Sequence, residues 1–159
     1  MRRKCEATIS VDASPEAIWA VISDVTRTGE WSGECQGGIW VGDATAPAPG
    51  VRFRGRNRRG RFRWTRLNEV IEAQPPRTLV WRTLRRAPYP DSVEWRLTLA
   101  QEGDTTRVDE SFQVLKLPRV MEASLWLLMP SHRDRTSDLA EDLNRLKALV
   151  ESEARHPPI

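Results

Sequence analysis

The chain is 159 residues long and weighs 18.2 kDa, the size of a single domain. It is 39% hydrophobic and 30% charged with a net charge of +3, and its apolar residues recur in periodic segments, which excludes a disordered tail. The longest apolar run, Leu125-Trp126-Leu127-Leu128-Met129, falls short of the ~18 residues of a membrane span, and two cysteines, Cys5 and Cys35, are too few for a disulfide framework or a zinc site.

Met1-Arg2-Arg3-Lys4 is basic with no apolar stretch behind it, so no signal peptide and a cytoplasmic location are expected. Cys5, Ala7, Ile9 and Val11 alternate with Glu6, Thr8, Ser10 and Asp12, the period of a strand with one buried face. Ser14 then suits an N-cap, Pro15 the first helical position and Glu16 the positive helix end. Ile18, Val21, Ile22 and Val25 follow at helical spacing. Gly29 ends this region, and Glu30-Trp31-Ser32 reads as a second short helical piece.

From Gln36 to Gln113 the pattern is strand after strand. Ile39–Val41 precedes a Pro/Gly loop at 42–50. Val51, Phe53 and Gly55 alternate with arginines, and Asn57-Arg58-Arg59-Gly60 reads as a hairpin turn. Arg61–Ala73 is long enough for an extended strand, with a parity shift between Trp64 and Leu67 that suggests a bulge. Leu79, Trp81 and Thr83 form one alternating set, Val93, Trp95, Leu97 and Leu99 the next, and Val108, Glu110 and Phe112 the last. The final third is helical. Leu125, Leu128 and Met129 lead to Pro130, where the helix should break. Ser131 is a candidate cap for a restart, with Asp134 three residues on. Leu139, Leu143, Leu146 and Val150 then make an apolar stripe, with Asp138, Glu141, Asp142 and Glu151 mostly outside it.

This order predicts one α+β domain over 1–154, with 155–159 a frayed tail. A curved antiparallel sheet of about seven strands wraps around a long C-terminal helix, and the space between them is a natural ligand cavity.

Several stretches resemble the SRPBCC superfamily, the helix-grip fold shared by START domains and polyketide cyclase/dehydrase-like proteins. Ser14-Pro15-Glu16-Ala17-Ile18-Trp19 with Asp24 and Trp31 is similar to that family's opening. Pro49-Gly50-Val51-Arg52-Phe53-Arg54-Gly55-Arg56-Asn57 is similar to its next strand. Trp64–Ala73 with Pro76 and Leu79-Val80-Trp81, then Trp95-Arg96-Leu97 with Gly103, Thr105, Thr106 and Val108, continue the likeness, and Leu143–Val150 closes it. The resemblance covers nearly the whole chain and implies the helix-grip fold. Its members include lipid carriers and cyclases, with no shared catalytic motif, so function has to be argued from the site.

Strand parity puts Phe53, Trp81, Trp95 and Phe112 on the concave face, where they either line a cavity or fill the core. Glu110 shares that parity. It is either a buried carboxylate that orients a ligand or moves a proton, or a structural partner for an arginine. Met129 and His132 flank the helix break. His132 is a proton donor or acceptor if it faces the cavity, and a solvent histidine otherwise. Asn57, Arg82, Tyr89 and Asp91 are candidates for the cavity mouth, although Tyr89, flanked by prolines, also suits a rigid turn. The 25 basic residues are all arginine but for Lys4, Lys116 and Lys147, and eight arginines with no acid lie between Val51 and Asn68. They form either a solvated outer sheet face or a basic stripe for an acidic partner. No stacking aromatics interleave on that face, which argues against nucleic acid. No cofactor fingerprint or metal cluster is present.

The leading expectation is binding of a small hydrophobic or aromatic molecule between sheet and last helix. The alternatives are a polyketide aromatase/cyclase or dehydratase, with Glu110 and His132 as its acid/base pair, and a protein or RNA interaction module using the arginine face. Self-association is left open.

Overall fold

A computed structural model describes residues 1–157. β1 (Lys4–Val11) leads into α1 (Pro15–Ile22) and a 3-10 turn at Val25–Glu30. Ser14 Oγ accepts from the Ala17 N–H at 3.2 Å, with Pro15 at the start of the helix. Asp24 caps the 3-10 turn by accepting from Thr26 N–H at 3.0 Å. Six strands follow: β2 (Cys35–Trp40), β3 (Arg52–Arg59), β4 (Phe62–Gln74), β5 (Thr78–Thr83), β6 (Ser92–Glu102) and β7 (Thr105–Lys116). α2 (Arg119–Leu128), a 3-10 turn at Pro130–His132 and α3 (Thr136–Arg155) complete the chain. Of the expected tail, Arg155 is the last residue of α3, while Pro158 and Ile159 lie outside the described residues.

The strands form one antiparallel sheet in the order β1-β7-β6-β5-β4-β3-β2. Every junction from β2 to β7 joins neighbours, so the chain needs one crossover only, from β1 at one edge to β2 at the other. The β3–β4 hairpin closes on Gly60-Arg61, with Arg59 paired to Phe62. Gly60 has φ +58, a conformation that excludes most other residues at that turn. The outer face carries Arg52, Arg54 and Arg56. It is partly neutralised across strands by Arg52–Glu69 at 2.8 Å and Arg82–Glu94 at 2.8 Å.

α3 lies on the concave face. Leu139, Leu143, Leu146 and Val150 are buried. Leu143, Leu146 and Val150 join Val11, Leu97, Leu99 and Val108 of β1, β6 and β7 in the main core, together with Ile18, Val21 and Ile22 of α1. Leu139 joins Cys5, Phe112 and Val114 in a second cluster. The helix packs on β1 and β7 rather than on the middle of the sheet. The inner faces of β3, β4 and β5 are therefore left to line the cavity.

Three local expectations need correction. The parity shift of β4 lies at Ile71, between Val70 and Glu72, and not between Trp64 and Leu67. Even residues stay inward as far as Val70, because Arg66 and Asn68 are buried despite being polar. The last helix begins at Thr136 with Arg135 at its N-cap and no side-chain cap, so Ser131 does not cap it; Asp134, one residue earlier, accepts from Thr136 N–H at 2.9 Å. Asp142, expected mostly outside the stripe, is buried. Its place three residues after Leu139 and four before Leu146 puts it on the inward face.

Candidate functional site

The inner face of the sheet, α2 and the segment before β2 enclose a cavity of about 370 Å³, to which α3 contributes Asp142. Phe53, Trp81, Trp95, Glu110, Phe112, Met129 and His132 all line it. Asn57, Tyr89 and Asp91 line it as well. Arg82 does not: one residue from inward-facing Trp81, it emerges on the opposite face and pairs with Glu94. α2 and the residue before α3 roof the space with Met121, Leu125 and Arg135.

The floor is aromatic. Ring centroids run from Trp40 to Phe53 at 5.8 Å, Phe53 to Trp81 at 6.3 Å, Trp81 to Trp95 at 6.2 Å and Trp95 to Phe112 at 4.9 Å. Trp81 and Trp95 sit opposite each other on β5 and β6 and are stacked with 10° between planes. Cross-strand pairing thus builds the floor from residues far apart in the chain. The Arg135 guanidinium lies 5.2 Å from the Trp95 ring and 5.3 Å from Phe112, a cation over the end of the aromatic row.

Polar groups gather in two places. Near α3, Glu34 Oε2 meets His132 Nε2 at 2.8 Å, Glu34 Oε1 accepts from Arg135 Nη1 at 3.1 Å, and Arg135 Nη2 forms an ion pair with Oε2 at 3.1 Å. Arg59 stands 3.5 Å from Glu34 and also pairs with Asp138. Burial pushes the Glu34 carboxyl up, but Arg135 and His132 outweigh it and bring it down to about 2. Asp142 accepts from the Gly33 N–H at 2.7 Å and from Arg145 at 3.1 Å, yet burial still raises its pKa. On β4, Arg66 donates to Asp91 Oδ2 at 2.8 Å and to its carbonyl at 3.2 Å, while Asp91 Oδ1 has no partner. Arg66 on β4 and Glu110 on β7 are three strand steps apart, on the order of 14 Å along the sheet.

Glu110 differs from both groups. It is 2% exposed, and its Oε2 has no hydrogen-bond partner. Burial holds its pKa well above the ordinary carboxylate range. The nearby Asp142 raises it further, and Arg135 only partly opposes them. A raised carboxyl pKa stabilises the fold at low pH, and that benefit is lost as pH rises above the unfolded value of ~4.3. Glu110→Gln is therefore expected to be more stable than the parent at pH 8 by about 1 kcal/mol or more, with the gap closing toward pH 4. Thermal melts at both pH values check this, and a variant that is less stable at pH 8 would show Glu110 ionised and paired.

Sequence reasoning missed Glu34, Arg66, Arg135 and Asp142. Glu34 lies in an irregular link where periodicity carries no signal. Arg66 and Asp142 did have a signal, in the strict alternation Phe62, Trp64, Arg66, Asn68, Val70 and in the spacing of α3. Among the described residues, no three His, Cys, Asp or Glu side chains come together as a metal site.

Residues 2–151 match the family described as polyketide cyclase/dehydrase and lipid transport. The chain belongs to this family. No curated protein is similar enough in sequence to count as a relative. Solved structures with the family's fold include TTHA0849 from Thermus thermophilus, at TM-score 0.70 and 15% identity over 95% of this chain and 99% of that one. The polyketide cyclase-like protein Cgl2372 from Corynebacterium glutamicum matches at TM-score 0.57 and 25% identity over 98% and 97%. DynU16, from the dynemicin biosynthetic locus, matches at TM-score 0.63 and 14% identity over 96% of this chain, which spans about half (48%) of that protein. In this family member, then, the helix-grip fold holds a cavity with an aromatic floor and a buried carboxyl group. Among the described residues, no helix is long and apolar enough to cross a membrane.

Proposed function

We propose that the protein binds a small, flat, largely apolar molecule with polar ends in the cavity between sheet and α3. The observation that carries this reading is the row Trp40-Phe53-Trp81-Trp95-Phe112 along the cavity, ending beside Glu110 with its unpartnered oxygen. Aromatic faces suit a planar ligand, whose burial contributes ~25 cal/mol per Å² before association costs. A protonated Glu110 donates a hydrogen bond to a ligand oxygen, and Asp91 Oδ1 accepts one from a hydroxyl.

Native mass spectrometry of the freshly purified protein, followed by denaturing extraction, is the direct test. A co-purifying aromatic or polycyclic mass that leaves on unfolding is the expected result. A naphthol-type probe should also quench tryptophan emission, with Trp81→Ala weakening its binding about tenfold. A protein that carries no such mass and gives no quenching would refute the reading.

A second reading, an aromatase/cyclase- or dehydratase-type enzyme, draws support from the same Glu110. A neutral carboxyl in an apolar cavity is a proton donor at neutral pH. Glu110→Gln would then abolish turnover of a poly-β-ketone analogue while leaving its binding intact. Loss of both together would assign Glu110 to binding alone.

A further inference from the structure

α2 presents apolar side chains in two directions. Met121 and Leu125, with Leu117 before them and Met129 after, recur every four residues and line the cavity. On the remaining surface Val120 is 81% exposed, Leu127 70%, Leu128 56% and Trp126 51%. No residue of α2 is buried. Four large apolar side chains exposed on one short helix mark a surface that meets something apolar.

The surroundings of this patch are basic. Lys116 and Arg119 stand at the start of α2. Arg133 follows it and lies over the Trp126 ring at 3.9 Å. Arg85 belongs to the β5–β6 loop, at the end of the sheet where Ser92 pairs with Lys116. None of these four has an acidic partner among the described residues. The nearby acids are engaged elsewhere: Glu122 with Arg3 at 2.8 Å and the Met1 ammonium at 3.5 Å, and Asp134 with Arg2 at 3.1 Å.

We propose that α2 and its basic surround dock on an anionic lipid bilayer. A second copy of the chain fits less well, because a two-fold contact through this face sets its cations against themselves. A bilayer surface satisfies both features. Val120, Leu127 and Leu128 enter the boundary between headgroups and acyl chains, Trp126 takes the interfacial position its amphipathic ring favours, and the four cations face anionic headgroups. Each such cation strengthens adsorption roughly fivefold. The docked helix is also the cavity roof, so docking sets the bilayer beside the ligand space.

The test uses the full chain with vesicles of phosphatidylcholine alone or with about one third phosphatidylglycerol. Co-sedimentation should be at least about tenfold tighter to the anionic vesicles and should weaken as salt is raised. Leu127→Ser/Leu128→Ser and Lys116→Glu/Arg119→Glu should each lower that binding about tenfold or more, with melting temperatures unchanged because all four side chains are exposed. Arg54→Glu/Arg56→Glu, on the outer sheet face, should leave it intact. Three results would overturn the proposal. One is equal or no binding to the two vesicle types. Another is loss of binding only in the outer-face variant. The third is a dimer in sedimentation that Leu127→Ser dissociates.

Discussion

Glu34→Ala is expected to lower the melting temperature at pH 7 by roughly 6–20 °C. Glu34 is the shared acceptor of His132 and Arg135, with Arg59 close by, and its side chain is 12% exposed. Arg135 is 6% exposed, and without Glu34 its nearest remaining acid is Asp138, with Nε to Oδ2 at 3.8 Å. Removing one partner of a buried charge cluster leaves the other desolvated and costs about 3–5 kcal/mol, and 1 kcal/mol moves the melting point by about 2–4 °C at this size.

The pH dependence supplies an independent reading. The Glu34 carboxyl is depressed to about 2 in the folded protein. Its contribution is therefore present above the unfolded pKa of ~4.3 and is lost as pH falls toward 2. Acid melts of the parent should show that loss, and Glu34→Ala should lack this part of it. The double variant Glu34→Ala/Arg135→Met should recover much of the stability, since an apolar replacement of a whole buried pair is often neutral. A single variant that melts within about 2 °C of the parent would show that the cluster is solvated and contributes little.

The second large effect is on the grip helix. Leu146 is fully buried and packs in the core that joins α3 to the β1–β7–β6 half of the sheet. Leu146→Ala removes that contact and leaves a void beside Val11, Leu97 and Val108, at a cost of about 2–5 kcal/mol. Asn144→Ala, on the exposed face of the same helix, should change stability by no more than about 0.5 kcal/mol. Chemical denaturation of the two variants side by side checks both. Equal, small effects would mean that α3 does not hold the sheet through this stripe.

Much of the molecule was legible because it depends on local periodicity. Ser14, Pro15 and the Ile18/Val21/Ile22 face defined α1 from neighbouring residues alone. The alternations through Trp95, Leu97 and Leu99 and through Val108, Glu110 and Phe112 placed those side chains on the concave face. Once parity is known, Phe53, Trp81, Trp95 and Phe112 must share one surface, because successive residues of a strand point to opposite faces. Where polar residues occupy inward positions, the same logic misled. Arg66 and Asn68 look like outward residues, and that appearance moved the expected bulge from Ile71 back toward Trp64.

The sequence by itself determined the order of elements and the inward set on the strands whose inward positions are apolar, since each follows from the side-chain period and from caps and turns a few residues long, and its family resemblance carried the helix-grip architecture. Only the tertiary structure decided that α3 covers one half of the sheet and leaves the other over a cavity. It alone brought Glu34, from the link before β2, onto His132 and Arg135 some hundred residues later. It also left Glu110 buried without a partner while Asp91 and Arg66 found each other. These are long-range pairings, set by how whole elements pack, and no local pattern encodes which buried charge will meet which.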